Sequence, residues 1–212
     1  MGNTKKLIVT IGRCCGSGGK TIGKALAERL GISFYDRNLL NLASEDSGIS
    51  EELFAKADEK VKSTLVYKVA RNVYNGEVIQ PDSENFVSND NLFNYQAKVL
   101  QGLAEQESYV VIGRCADFVL KDKPDIDLVR IFISASDKFC AVHEKKRLGI
   151  TEAEARAHIK RFNRRRSEYY HYYTGLDWGD MRNYDLGINA TDLTTDECVD
   201  MILSYIDKRF KK

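Results

Sequence analysis

The sequence is poor in proline, histidine and tryptophan, and it carries almost no net charge. It has two prolines, three histidines and one tryptophan among 212 residues, and its formal net charge is +1. Scarce proline, together with 43% hydrophobic residues, argues against a disordered or fibrous chain and for a chain that buries a single core. The balanced charge gives no general attraction to nucleic acid or membranes, so any basic site must be local.

No cysteine pair has the C-x-x-C spacing of a zinc or redox site. The five cysteines are an odd number, which favours free thiols in a reducing compartment. Cys14 and Cys15 precede a lysine-containing turn, where a nearby positive charge could lower a thiol pKa, but small loop fillers are the simpler interpretation. The early apolar run 7–11 is too short for a signal or membrane segment. We therefore expect a soluble, cytoplasmic protein.

Short apolar runs alternate with longer amphipathic patterns, which is typical of an α/β protein. The predicted strands are 7–11, 32–35, 109–112, 128–133 and 184–189. Strands separated by helices require crossover connections, and these place the strands parallel with helices on both faces. The sequence therefore predicts one domain, 1–212, with a five-stranded parallel sheet flanked by helices.

Local signals place the helix boundaries. A helix is predicted over 20–30, with Gly31 as its C-cap, and another after Ser136. Capping boxes at 151–154 and 194–197 open a long basic helix and the last helix. Residues 38–106 read as interrupted helix, with a loop at 76–91.

The turn after the first predicted strand is a candidate phosphate-binding loop. The window 14–21 fits the Walker A pattern G-x-x-x-x-G-K-[ST] except that Cys14 replaces the first glycine. Glycines allow backbone N–H groups to form an anion nest at a helix N-terminus. Lys20 would reach the β- and γ-phosphates of ATP, and Thr21 would offer its hydroxyl to Mg²⁺. The alternative is a flexible turn with a solvated lysine. The predicted phosphate-binding residues are Gly16, Ser17, Gly18, Gly19, Lys20 and Thr21.

Polar residues also follow the next two predicted strands. Asp36 and Arg37 come after the second strand, and Gly113 and Arg114 come after the third. Parallel sheets bind ligands at the carboxyl ends of their strands. We therefore expect these residues to converge with the glycine turn.

The densest positive patch lies at 160–166 and is followed by four tyrosines within 169–173. One interpretation is a mobile lid whose arginines clamp the transferring phosphoryl group. A second is RNA binding through helix 156–173, with tyrosines stacking on bases. A third is a solvated helical face with the aromatic residues on the core side. Arg161 and Arg165 are four residues apart and share a face, and the balanced net charge weighs against nucleic acid.

Taken in order, these segments resemble the cytidylate kinase-like family of P-loop kinases. The resemblance is carried by segments 16–20, 30–36, 111–114, 132–135, 166–170, 173–175, 178–180 and 183–186. It implies a P-loop NTPase fold with a helical insertion for the nucleoside monophosphate (NMP) at 38–108 and a basic lid at 148–175. It also implies Mg²⁺-dependent transfer of the γ-phosphoryl group of ATP to CMP, dCMP or a related small acceptor.

The resemblance further implies roles for individual residues. Asp36 and Arg114 would contact the acceptor, with Arg37 and Asp117 as neighbouring candidates. No nucleophile is expected, because phosphoryl transfer depends on positioning and charge neutralisation. The candidate catalytic residues are Lys20, Arg161, Arg165 and Arg166.

Three positions depart from the family pattern. In an ungapped alignment Gly19 falls on the Walker lysine, Cys115 replaces an aspartate, and Asn163 stands where relatives often have an acidic residue. A nucleotide-binding regulatory protein without catalysis is therefore a second hypothesis. The histidines, all in charged helical stretches, are predicted to be solvated; they are His143, His158 and His171.

Overall fold

The computed structural model describes residues 5–36, 39, 43, 78 and 89–210, and its helices and strands are numbered here within that part. The strands are β1 (Lys6–Arg13), β2 (Ser33–Tyr35), β3 (Tyr109–Ile112), β4 (Ile126–Ser134) and β5 (Leu186–Asn189). The helices are α1 (Gly19–Leu30), α2 (Asn89–Gln106), α3 (Ala116–Val119), α4 (Asp137–Leu148), α5 (Glu152–Thr174) and α6 (Thr195–Phe210). Among these described helices, none is long and apolar enough to cross a membrane.

The five strands form one sheet in the order β2-β3-β1-β4-β5, and every neighbouring pair is parallel. β1 occupies the centre, where Val9 pairs with Val110 of β3 and with Val129 of β4. This confirms the predicted five-stranded parallel sheet. Because the strands run the same way, the segments that follow β1, β2 and β3 leave the sheet at one edge.

Each face of the sheet is covered by helices, as the two-sided burial of β1 requires. Val9 and Ile11 face α1 and α6, whereas Ile8 faces α2 and α3. These three side chains are fully buried. Burial of an aliphatic side chain of this size contributes about 1.5–3 kcal/mol, so the central strand is a main source of stability. A rigid central strand is also what positions the turn that follows it.

The helix boundaries agree closely with the sequence patterns. Both predicted capping boxes are present: the Thr151 hydroxyl accepts from the N–H of Glu154, and the Thr194 hydroxyl accepts from the N–H of Glu197. The predicted loop over 76–91 is wrong at its end, because α2 already begins at Asn89. Most of the predicted insertion, and of that loop, lies outside the described residues.

A part-buried ion pair joins β4 to the segment before β5. Asp185 accepts hydrogen bonds from the Arg130 side chain at 2.8 Å and 3.2 Å, and Arg209 approaches the same carboxylate at 3.0 Å. Burial alone would raise the pKa of Asp185, but the two arginines outweigh it and lower the pKa. This pair explains why an aspartate stands in the segment 183–186.

Asp185→Asn is expected to lower the free energy of unfolding by about 2 kcal/mol at pH 7. Because the pKa of Asp185 is lower in the folded state, its contribution is complete above the unfolded-state pKa of about 3.9 and disappears as the pH falls through the folded-state pKa. Urea unfolding at pH 7 and near pH 3 should show the difference between native protein and variant shrink. Asp200→Asn, in an exposed pair with Arg29, is the control. An equal loss at both pH values would contradict the ionic account.

Candidate active site

The glycine turn leads from the central strand into α1 with two residues in the left-handed region. Gly16 and Gly18 have φ values of +83° and +82°, and Gly18 is the N-cap of α1. A Cβ at Gly16 would also lie 2.7 Å from the backbone oxygen of Cys140, so no side chain fits there. Ser17 is buried and its hydroxyl donates to the Cys14 carbonyl at 2.9 Å. The turn therefore places backbone N–H groups at a helix N-terminus, an arrangement that binds anions.

The helix α5 is docked on this turn through two hydrogen bonds. The Cys15 N–H donates to Asn163 Oδ1 at 2.7 Å, and Arg166 Nη1 donates to the backbone oxygen of Arg13 at 3.0 Å. In the sequence, Asn163 is notable only as a departure from the family pattern. Its contact spans 148 residues of sequence, so no local signal could have revealed it.

Lys20 points across the rim to the end of β2. Its ammonium lies 2.7 Å from the Asp36 carboxylate, and its side chain is 66% exposed. Burial alone would raise the pKa of Asp36, but the hydrogen bond from Lys20 and the charges of Arg13 and Arg114 outweigh it and lower the pKa. Asp36 is therefore an ionised carboxylate at neutral pH, surrounded by three cations.

The end of β3 turns sharply through three consecutive residues with positive φ. The φ values of Gly113, Arg114 and Cys115 are +71°, +65° and +52°. Non-glycine residues in this region carry strain on the order of 1–3 kcal/mol each, and such strain clusters at functional sites. The turn brings Arg114 into the cavity that the glycine loop borders.

Asp117 lies at the inner wall of the same cavity. Its carboxylate accepts a hydrogen bond from the Tyr170 hydroxyl at 2.6 Å, and burial raises its pKa. Asp117 therefore forms part of the cavity lining, where it is hydrogen-bonded to Tyr170 and shielded from water. The remaining acceptor candidate, Arg37, lies outside the described residues.

The glycine loop, the ends of β2 and β3, and part of α5 line one cavity of about 750 Å³. It brings together most of the residues that the sequence proposed for phosphate and acceptor binding. Those in its lining are Gly16, Gly18, Gly19, Lys20, Thr21, Asp36, Arg114, Asp117, Arg165 and Arg166.

The arginines of α5 divide into two groups. Arg165 and Arg166 line the cavity, whereas Arg161 is exposed outside it and Arg164 pairs with Glu168 at 2.7 Å on the surface. Burial lowers the pKa of Arg166, and no carboxylate of the described residues forms an ion pair with it. An anion that binds beside a desolvated guanidinium of this kind stabilises its charge strongly. The contribution of Arg161 remains a sequence-based prediction.

Among the described residues, one group of three side chains has metal-ligand chemistry: Cys15, Glu144 and His158. Their ligand atoms lie within 4.8 Å of one another. The group is poorly suited to a cation, because Arg147 already pairs with Glu144 and the charge of Arg166 acts on Cys15. Burial raises the pKa of Cys15, as it does that of Cys14, which argues against the redox-sensitive alternative.

His158 is not solvated as predicted. Its side chain is 17% exposed and its ring stacks on Phe162 with centroids 4.2 Å apart. Burial lowers its pKa. His158 also approaches the Glu144 carboxylate of α4 at 3.6 Å, and the charged sequence around it does not reveal that this side of α5 packs against α4.

The tyrosines of α5 mostly face the protein interior. Tyr170 and Tyr173 are each 4% exposed, and Tyr173 stacks on Phe93 with centroids 3.9 Å apart. They therefore complete the core between α2 and α5, as the core-facing interpretation of the aromatic run requires. A surface of tyrosines open to stacking bases is not present in this part of the chain.

A shikimate kinase and an APS kinase are among the solved structures that share this architecture. Shikimate kinase from Bacteroides thetaiotaomicron superposes with a TM-score of 0.53 at 14% identity, covering 97% of this chain and 99% of that one. APS kinase from Mycobacterium tuberculosis gives a TM-score of 0.52 at 20% identity, covering 96% and 98%. The fold is that of a P-loop kinase.

The chain belongs to the cytidylate kinase-like family, whose model matches residues 8–192. It is therefore an ATP-dependent kinase. Cytidylate kinase from Methanopyrus kandleri is 24% identical over 208 residues, covering 95% of this chain and 93% of that protein. The crystal structure of an uncharacterized protein from Eubacterium ventriosum is 28% identical, with a TM-score of 0.70 and coverage of 96% and 100%.

Proposed function

We propose that the protein transfers the γ-phosphoryl group of ATP to a cytidine monophosphate, CMP or dCMP. The observation that carries the proposal is the convergence of an anion-binding turn, two strand-end groups and two α5 arginines on one cavity. The acceptor base is taken from similarity, since the curated relatives that match at 24% identity are cytidylate kinases. The buried tyrosines of α5 count against the RNA-binding alternative.

The proposed roles follow from charge and position. The backbone N–H groups of the turn hold the ATP phosphates. Arg114 pairs with the acceptor phosphate, while the ionised Asp36 suits a sugar hydroxyl or fixes the Lys20 ammonium. Arg165 and Arg166 neutralise charge that spreads over the transferring oxygens. These groups position and neutralise the reactants, so no covalent intermediate with the protein is needed.

The kinase family implies ATP and usually Mg²⁺. Thr21, exposed in the first turn of α1 and in the cavity lining, has the hydroxyl that fits this ion beside phosphates. When bound, Mg²⁺ would supply further neutralisation of the phosphate oxygens. The chain's own contribution is to orient both nucleotides at the edge of the sheet.

A panel of nucleoside monophosphates tests the proposal. With ATP and Mg²⁺, the purified protein is expected to release ADP fastest when CMP or dCMP is added, and more slowly with UMP, AMP or GMP. A coupled ADP assay measures these rates, and the ATP-only rate is the background. A folded protein that shows no increase over background with any monophosphate would contradict the proposal.

The second candidate is a nucleotide-binding regulatory protein without catalysis. The docking of α5 favours it, because Asn163 already accepts a loop N–H that a phosphate oxygen would otherwise use. Tight binding of MgATP with no product from any acceptor would select this function. Turnover with one of them would remove it.

A further inference from the structure

Arg13, the last residue of β1, is a cation in the cavity lining that lies outside the predicted window 14–21. Its guanidinium crosses the rim to the end of β3, where Nη1 occupies the space that a Cβ at Gly113 would take. Its charge also acts on the Asp36 carboxylate at the end of β2. The guanidinium thus lies between the phosphate-binding turn and the acceptor side of the site.

Gly19 faces Arg13 at the start of α1, where any larger residue would collide with the Arg13 side chain. A Cβ at Gly19 would lie 2.6 Å from the Cβ of Arg13 and 3.2 Å from its Cγ. The backbone of Gly19 does not require glycine, because its φ is not among the positive values of the described residues. Glycine at this position therefore leaves room for the Arg13 side chain.

The two positions exchange the roles that the Walker A pattern gives them. Counted from Arg13, the pattern G-x-x-x-x-G-K-[ST] has Arg13 at its first glycine, Gly18 at its second and Gly19 at its lysine. The cation Arg13 therefore lies at a position where the pattern has glycine, and Gly19 lies at the position where the pattern has lysine. The side chain of the next residue, Lys20, is instead engaged by Asp36 at 2.7 Å.

We propose that Arg13 binds the terminal phosphates of ATP in place of a lysine on the turn. The inference rests on the proposed function, since it names a phosphate contact of the same site. A guanidinium presents its donors in a planar fork, so it can contact two phosphate oxygens at once. Arg166, whose Nη1 donates to the Arg13 carbonyl at 3.0 Å, adds a second cation beside it.

Titration of the full-length chain with MgATP tests the assignment. Arg13→Ala is expected to weaken the Kd by roughly 10- to 100-fold, the range for the loss of a charged hydrogen bond, and by more than Lys20→Ala does. Arg29→Ala, at the far end of α1 in an exposed pair with Asp200, should bind as the native protein does. Thermal melting of each variant separates loss of binding from loss of folding.

A reciprocal exchange gives a second and independent test. Gly19→Lys alone should bind MgATP poorly, because its side chain collides with Arg13. Arg13→Gly combined with Gly19→Lys removes the two contacts with Arg13, leaves only the milder one with Ile133 Cβ at 3.3 Å, and restores a cation at the lysine position. This double variant should recover most of the affinity that Arg13→Gly loses.

Native affinity in a folded Arg13→Ala protein would overturn the assignment, as would a larger loss in Lys20→Ala. If Arg13→Ala does not fold, the double variant decides: near-native binding supports the assignment, and a folded double variant no better than Arg13→Gly overturns it. Binding and turnover are separate readouts. Loss of MgATP affinity in Arg13→Ala therefore supports the contact even if no monophosphate is phosphorylated, a result that would refute only the proposed function.

Discussion

Arg166→Ala is expected to lower kcat/KM for phosphoryl transfer by about 10³, equivalent to about 4 kcal/mol of transition-state stabilisation. Arg166 is part-buried in the cavity lining, and this burial lowers its pKa, so its charge has lost part of its contact with water. A preorganised charge in such an environment interacts strongly with the negative charge that develops on the transferring oxygens. Steady-state kinetics with ATP and CMP measure the change.

Arg164→Ala is the matched control for Arg166. It removes the same side chain from the same helix, but Arg164 lies on the surface and pairs with Glu168 at 2.7 Å. Its kcat/KM should stay within a factor of about two, because exposed pairs of this spacing contribute little. Arg166→Lys should remain impaired, since an ammonium cannot reproduce the planar fork. Equal losses in Arg166→Ala and Arg164→Ala would show that Arg166 has no special role.

Gly16→Ala is expected to abolish tight nucleotide binding and to destabilise the fold by about 2–5 kcal/mol. A left-handed conformation costs about 1–2 kcal/mol for alanine, and forcing an extra carbon into a packed region adds about 1–3 kcal/mol. Both apply at Gly16, whose φ is +83° and whose added Cβ would meet the backbone of Cys140 at 2.7 Å. Relief of that contact must move the turn away from α4, which disturbs the anion nest.

Gly18→Ala separates the steric effect from the conformational one. Its φ is +82°, nearly the same, but a Cβ there has no neighbour within 4 Å. The variant should therefore lose only about 1–2 kcal/mol of stability. Urea unfolding and MgATP titration of both variants make the comparison. Equal effects at the two glycines would contradict the view that contact with α4 holds the turn in shape.

The fold was predictable because its signals are local. A buried run, a glycine turn and an amphipathic helix specify a strand-turn-helix unit wherever they occur together, and Thr151 with Glu154 marks the start of α5 within four residues. Parallel pairing then follows from the order of the elements. The same logic brought the strand-end residues Asp36 and Arg114 to one edge of the sheet, and both line one cavity.

The parts of the site that sequence could not predict depend on side-chain direction and distant contacts. Nothing in the run of residues 13–19 indicates that the Arg13 side chain would fill the space beside Gly19, because that depends on the path of the turn. The Walker pattern predicts Lys20 as the phosphate-binding cation instead, but the Lys20 ammonium pairs with Asp36. The contacts of Asn163 with the Cys15 N–H and of His158 with Glu144 were likewise not predictable, because each joins two separate elements of the fold.

The most direct measurement follows the phosphoryl group itself. The protein is incubated with Mg²⁺, CMP and ATP carrying a radioactive γ-phosphate, and the products are separated by chromatography. We expect the label to appear in CDP, with one ADP formed per labelled CDP, and to be lost when CMP is omitted. Label that appears only in inorganic phosphate, or that remains in ATP while the protein is folded and binds nucleotide, would contradict phosphoryl transfer to the monophosphate.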